Sequence, residues 1–267
     1  MFNFEYRDTS FAHKDGFSSS PRDEFHKHMH HFIEFIYFEC GEVDFHVEGA
    51  CQRLNPGDIV LVQPGKFHFA DVNREAPYRR YVCKIPEELL PVYLRARIFS
   101  YHPFFSSNER LLPLFQDLDK YAEEFSSSDD DMQALCVAKA VEILIRLDVN
   151  KNLPIEEAKD AYVSELVDYI EAHLGEKLTL RTISDAFHYS PSYLATTFRK
   201  QMHVSLISYV RGKKIMAAHS LISHGMKPSE AAAAMGFADY STFFRCYQKL
   251  FGVSPSSAKR GTIRGEV

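Results

Sequence analysis

Short runs of β-branched and aromatic residues fill the first third of the chain. Four of them are prominent, at residues 33–38, 43–47, 59–62 and 81–85. Turn-forming residues separate these runs: Gly41, Gly49, Asn55-Pro56-Gly57 and Pro64-Gly65. Strands at this spacing predict an antiparallel sandwich or small barrel in the N-terminal half.

The pattern changes to helical spacing after Pro86. Residues 111–125 and 132–147 carry apolar side chains every three to four positions, which predicts two helices. The apolar stripe of the second helix either packs on the strands or pairs with its twin in a dimer. If it forms the dimer interface, Leu135→Asp or Leu144→Asp should yield a monomer. The stripe consists of Met132, Leu135, Cys136, Ala140, Ile143, Leu144 and Leu147.

A polar segment at residues 151–161 predicts a linker between a domain at 1–150 and an all-helical domain at 162–267. An internal repeat runs through the second domain, where residues 179–206 align with residues 227–255. Each copy has the pattern of helix, tight turn, helix, and a helix of about 17 residues joins the two copies. We therefore predict two helix-turn-helix units.

On the second helix of each copy, short, hydrogen-bonding and basic side chains flank an apolar stripe. A helix needs such a face to enter the major groove of double-stranded DNA. In the first copy the candidate contacts are Ser190, Ser192, Tyr193, Ala195, Thr196, Arg199 and Lys200. In the second they are Asp239, Tyr240, Ser241, Phe244, Arg245, Gln248 and Lys249. On the joining helix, Arg211, Lys213 and Lys214 are either phosphate contacts or part of a solvated face.

The distribution of charge supports a nucleic-acid partner for the second domain only. The net charge is −5, which taken alone argues against such a partner. Residues 161–267, however, hold 13 basic and 8 acidic residues, whereas the rest of the chain holds 18 and 28. A basic half joined to an acidic half indicates that only the C-terminal half meets a polyanion.

Several classes of protein are disfavoured. The sequence has no apolar run of about 18 residues and no signal-peptide pattern, so we expect a cytoplasmic protein without a membrane span. The five cysteines are widely spaced, which disfavours a disulfide framework or a zinc ribbon. Apart from one histidine cluster, no catalytic motif occurs, and we do not expect an enzyme.

The second copy of the repeat carries a specific motif. It contains Gly236-Phe237-Ala-Asp239, then Phe243 and Arg245, and ends in Gly252-Val-Ser254-Pro255. On these residues the chain resembles the AraC family of bacterial transcription regulators over about residues 163–260. The resemblance implies a DNA-binding domain, a homodimer and a contact with RNA polymerase. The chain departs from the usual family pattern at Ala231, Lys214, Tyr247 and Ala258-Lys259.

The N-terminal half resembles the cupin-like sensor domain common in that family. The matching residues are His28, His30, Glu34, Gly41, Asn55-Pro56-Gly57-Asp58, Pro64-Gly65 and His68. The resemblance implies a two-domain α+β protein with a cupin-like barrel and flanking helices. It also implies that a small effector, often a sugar or related metabolite, binds in the barrel. The candidate effector-binding residues are His28, His30, Glu34, Tyr37 and His68.

The histidines allow three interpretations. Residues i and i+2 of a strand share a face, so His28 and His30 point to the same side, where Glu34 and His68 could join them to hold a divalent metal. Alternatively, these residues line a ligand pocket without metal, or they are surface or core residues. We expect no other cofactor. The alternative to a regulator is a metal-dependent cupin enzyme with a helical appendage.

Overall fold

A computed structural model describes residues 3–17, 27–72, 76–106, 109–124, 128–149 and 161–257. The chain divides into two compact units, Met1–Ala158 and Lys159–Val267. The predicted linker lies outside the described residues, except for Ala161, where the first helix of the second unit begins. Among the helices described, none combines the length and apolar character that crossing a bilayer requires.

The first unit is built on antiparallel strands. They are β1 Asn3–Tyr6, β2 Thr9–Phe17, β3 Phe32–Cys40, β4 Val43–Val47, β5 Ala50–Arg53, β6 Ile59–Val62, β7 His68–Val72, β8 Pro77–Pro86 and β9 Phe104–Phe105. The four predicted strands are confirmed as β3, β4, β6 and β8. Within the described residues, the nine strands form a six-stranded sheet, β1-β2-β8-β3-β6-β9, and a three-stranded sheet, β5-β4-β7, rather than one closed barrel.

Strand β3 is buried on both faces because a different core covers each. Phe35 and Tyr37 belong to a core shared with the helices of this unit. Ile36 and Phe38 belong to a second core, which also contains residues of the smaller sheet. Since side chains alternate along a strand, Glu34 lies on the face of Ile36 and Phe38.

Three α-helices complete the described part of the first unit: α1 Val92–Ile98, α2 Leu112–Glu124 and α3 Asp129–Val149. The apolar stripe of α3 packs into the core below the larger sheet, where Cys136, Ala140, Ile143 and Leu144 are completely buried. Of the two interpretations of this stripe, the structure supports packing on the strands. Leu144 is enclosed within its own unit, so a dimer interface on this helix could not use that side chain, whereas Leu135 of the same stripe is only half-buried.

Over its described residues, 161–257, the second unit is all-helical, as predicted. Its helices are α4 Ala161–Ala172, α5 Leu180–Ala186, α6 Pro191–Met202, α7 Leu206–Ser223, α8 Pro228–Ala234 and α9 Tyr240–Phe251. The pairs α5–α6 and α8–α9 are the two helix-turn-helix units, and α7 joins them. Thr179, Ser190 and Asp239 each accept a hydrogen bond from a main-chain N–H in the first turn of the helix that follows, so these three side chains cap α5, α6 and α9.

Gly236 makes the turn between α8 and α9 at a close approach of the main chain. Its φ is +66°, which favours glycine. A Cβ atom there would lie 2.8 Å from the carbonyl oxygen of Gly175 and 3.0 Å from that of Glu176. The glycine therefore allows the second helix-turn-helix unit to pack against the segment that follows α4.

Candidate functional site

Helix α6 is anchored by one apolar stripe and presents a polar face on the other side. Leu194, Phe198 and Met202 are buried, and Ser190 caps the helix by accepting a hydrogen bond from the N–H of Tyr193 at 3.2 Å. Of the residues expected to contact DNA, Ala195 is half-buried and five others on the helix are exposed: Ser192, Tyr193, Thr196, Arg199 and Lys200. The helix thus offers short and basic side chains to a major groove.

Helix α9 repeats this arrangement. Its apolar stripe, Phe243, Tyr247 and Phe251, is buried. The carboxylate of Asp239 accepts hydrogen bonds from the N–H and the hydroxyl of Thr242 at 2.7 and 2.9 Å. These bonds lower the pKa of Asp239, so its charge is retained at the positive end of the helix. Phe244 is half-buried, and the other expected contacts on the helix are exposed: Tyr240, Ser241, Arg245, Gln248 and Lys249.

The basic residues of α7 do not form one surface. Arg211 is exposed. Lys213 is buried, with its Nζ 2.7 Å from Oε1 of Glu171 on α4. Lys214 is also buried and donates to the carbonyl oxygens of Glu176 and Met235 at 2.5 and 2.8 Å. The two lysines therefore depart from the expected phosphate contacts, because their ammonium groups hold the helices of this unit together.

In the first unit, four of the expected effector-binding residues converge. Two main-chain hydrogen bonds, of 3.1 and 2.9 Å, pair His28 with His68 and bring the segment before β3 against the first residue of β7. Nε2 of His30 lies 3.0 Å from Oε2 of Glu34, and Nε2 of His68 lies 3.2 Å from the same oxygen. His28, His30 and His68 each contribute one ring nitrogen to this cluster, and these three nitrogens all lie within 4.8 Å of one another.

The charges in this cluster are set by burial and by one lysine. Burial alone raises the pKa of Glu34, but Lys84, His30 and His68 together bring it well below its usual value. Burial lowers the pKa of His30, although Glu34 opposes the effect. Lys84 Nζ lies 3.9 Å from Oε1 of Glu34, and the two residues are directly opposite on β8 and β3. Sequence analysis missed Lys84 because its only signal is this strand register.

Tyr37 does not join the cluster. It stands three residues after Glu34 on β3, so the two side chains lie on opposite faces of the strand. Its ring is 5.3 Å from that of Phe115 on α2, inside the core beneath the helices. The expectation that Tyr37 contacts the effector alongside the histidines is wrong for this physical reason.

Comparison with known proteins matches a family model to each of the two units. A family model described as an AraC-like ligand binding domain matches residues 16–134, and one described as a helix-turn-helix domain matches residues 183–261. The chain belongs to the AraC family. As a member of that family, it is a DNA-binding transcription regulator with a ligand-binding domain.

Several curated regulators are similar to this AraC-family chain over most of their length. The HTH-type transcriptional regulator YobQ of Bacillus subtilis is 25% identical over 239 residues, which cover 86% of this chain and 87% of the relative. The arabinose operon regulatory protein of Escherichia coli is 28% identical over 212 residues, covering 77% of this chain and 73% of the relative. The corresponding protein of Salmonella typhimurium is 27% identical over 214 residues, covering 77% and 75%. All three relatives are named as regulators.

Proposed function

We propose that this regulator reads a specific DNA sequence by placing α6 and α9 in successive major grooves on one side of the duplex. The observation that carries the proposal is the repeated surface: each helix buries an apolar stripe and exposes short polar side chains followed by an arginine, Arg199 or Arg245. Helix α7 has 18 residues, about 27 Å at 1.5 Å per residue. That length is comparable to the roughly 34 Å between major grooves one turn apart.

Hydroxyl-radical footprinting on the promoter upstream of the chain's own gene tests this arrangement. We expect protected regions about 10 base pairs apart on one face of the duplex. Arg245→Ala should abolish one region, and Arg199→Ala the neighbouring one. Arg146→Ala is the matched control, because Arg146 is an exposed arginine of the first unit. A single region lost in both variants would show that only one helix-turn-helix unit contacts DNA.

The proposal extends to control by a small effector at His28, His30, Glu34 and His68. These are polar groups that converge next to the apolar core between the sheets, which is the usual composition of a small-molecule site. Two relatives are named as arabinose operon regulators, so sugars are the first organic molecules to test. An effector of this kind should change DNA affinity by about 5- to 150-fold, the usual range of such coupling.

Isothermal titration of sugars into the full chain, followed by DNA titration in their presence, tests this control. Glu34→Gln should remove both the binding heat and the change in DNA affinity while leaving basal DNA binding intact. Asp44→Asn is the matched control, since Asp44 is a carboxylate of the smaller sheet outside the cluster. Equal responses from wild type and Glu34→Gln would place the effector elsewhere.

We further propose that the chain acts in the cytoplasm as a homodimer that contacts RNA polymerase at the promoter. The support is the family assignment, because regulators with paired DNA-binding units commonly recognise paired half-sites. Light scattering of the purified chain measures the mass directly. A monomer at micromolar concentration, with or without promoter DNA, would overturn the dimer.

A further inference from the structure

Two imidazole nitrogens of the histidine cluster converge on a single carboxylate oxygen. Nε2 of His30 and Nε2 of His68 both approach the same carboxylate oxygen of Glu34, at 3.0 and 3.2 Å. His68 is almost completely buried, and its Nε2 has no hydrogen-bond partner among the described residues. A buried polar atom without a partner is costly, so it indicates that something else occupies the space before it.

The other nitrogen of each ring fixes the tautomer. Nδ1 of His30 lies 3.2 Å from the carbonyl oxygen of Phe32, and Nδ1 of His68 lies 2.9 Å from that of Lys66. A carbonyl oxygen only accepts, so both Nδ1 atoms carry the hydrogen. In the neutral form of each ring, Nε2 then keeps its lone pair and is the atom through which imidazole binds a metal ion. Histidine ligands of metals are commonly oriented by such bonds from the second ring nitrogen to a carbonyl.

The distances suit a small metal ion. Donor atoms bound tetrahedrally at 2.0–2.1 Å lie about 3.3 Å from one another, close to the separations between Glu34 Oε2 and the two imidazole nitrogens. His28 supplies a third imidazole, because its main-chain pairing with His68 places the two ring centroids 4.2 Å apart. Imidazole and carboxylate together suit zinc and its neighbours in the first transition row.

We propose that His28, His30, His68 and Glu34 bind one divalent transition-metal ion of the zinc class. The inference rests on the proposed function, since it concerns the same effector site and names the metal as its ligand. An ion here would link the segment before β3, strand β3 itself and strand β7 of the smaller sheet. Its binding would therefore fix how the two sheets meet.

Metal content and cobalt spectroscopy of the full chain test the site. The chain is stripped with a chelator, dialysed against Co²⁺ or Zn²⁺ and measured by mass spectrometry for bound metal. We expect one ion per chain, and a visible Co²⁺ spectrum without a thiolate charge-transfer band. Cys51→Ser should leave the spectrum unchanged, although Cys51 lies 3.6 Å from another histidine, His46. Metal absent from wild type, or lost on Cys51→Ser, would overturn the proposal.

Variants assign the ligands. His28→Ala should weaken metal binding by more than the roughly 10- to 100-fold that loss of an outer-shell partner causes, and so should His68→Ala. His102→Ala, which alters a half-buried histidine that is not one of the converging group, should not. If the buried His68 variant fails to fold, His28→Ala decides, because His28 is only half-buried. Its thermal midpoint should no longer rise with added metal, whereas the midpoint of wild type should. An undiminished metal affinity in His28→Ala would overturn the assignment.

The same samples separate this inference from the proposed function. Promoter binding is measured by fluorescence anisotropy in the metal-free and metal-loaded states. Specific DNA binding in a chain that takes up no metal would overturn the metal site alone. A bound metal in a chain without specific DNA binding would overturn the proposed function and support the site.

Discussion

Nδ1 of His219 lies 2.6 Å from the phenolic oxygen of Tyr247, and this hydrogen bond joins α7 to the buried stripe of α9. The ring of His219 also lies 4.4 Å from that of Phe251. Burial lowers the pKa of His219 to about 4 and raises that of Tyr247. The neutral imidazole of His219 therefore helps to position α9, the second candidate DNA-reading helix.

This buried imidazole makes the stability of the second unit depend on pH. An ordinary unfolded histidine has a pKa near 6.5, so between pH ~6.5 and pH ~4 the unfolded chain binds a proton that the folded chain does not. Stability is therefore lost as pH falls through this window, by about 3 kcal/mol in total. Urea unfolding at several pH values, followed by circular dichroism, measures the loss. His219→Gln should flatten the slope, and an identical slope in this variant would show that His219 is not its source.

Two glycines with positive φ should respond differently to alanine. Gly225 has a φ of +101°, and a Cβ atom added there would meet no atom of the described residues within 4 Å. Gly225→Ala should therefore cost only backbone strain, about 1–2 kcal/mol. Gly236→Ala should cost more, because its Cβ would meet the main-chain oxygens of Gly175 and Glu176. Denaturant unfolding of both variants measures the difference. Equal losses would show that the segment after α4 moves aside freely.

The basic residues of α7 should divide into one phosphate contact and two structural residues. Arg211→Ala should reduce the slope of log K against log salt by about 1 and leave stability unchanged, because its side chain is exposed. Lys214→Met should instead destabilise the unit by ~1–3 kcal/mol, since it leaves two carbonyl groups without their donor. Salt titrations of DNA binding and urea unfolding separate the two effects. A reduced salt slope in a stably folded Lys214→Met protein would show instead that Lys214 contacts a DNA phosphate.

Substitutions at two neighbouring residues of α3 should show that its apolar stripe belongs to the hydrophobic core. Leu144→Asp should unfold the first unit, at a cost of more than about 4 kcal/mol, because a carboxylate cannot be solvated there. Ile145→Asp should have little effect on stability, since Ile145 is 43% exposed on the same helix. Thermal unfolding checks both. A folded, monomeric Leu144→Asp protein would indicate instead that the stripe forms a dimer interface.

Much of the fold could be predicted from local patterns. The caps at Ser190 and Asp239 and the apolar stripes of α6 and α9 depend on residues close in sequence, so the helix-turn-helix units were predictable with their boundaries. The convergence of His28 and His30 was predicted from alternation along a strand, whereas the structure places both in the segment before β3, where the pairing of His28 with His68 brings them together.

What could not be predicted depends on contacts between distant elements. Strand alternation alone puts Tyr37 opposite Glu34, but only the structure shows that α2 covers its face, with the ring of Phe115 5.3 Å away. Lys213 resembles a solvated base in sequence, and its burial becomes evident only when α4 brings Glu171 to it. Sequence spacing alone carries no information about such tertiary partners.

The most direct test of the account is fluorescence-anisotropy binding of the purified chain to its own promoter and to a scrambled duplex over a salt series. We predict tighter binding to the promoter, by a factor of roughly 10³ or more, with an affinity that falls steeply as salt rises. Equal and weak binding to both duplexes, in the presence and absence of metal and sugars, would contradict the claim that α6 and α9 read a DNA sequence.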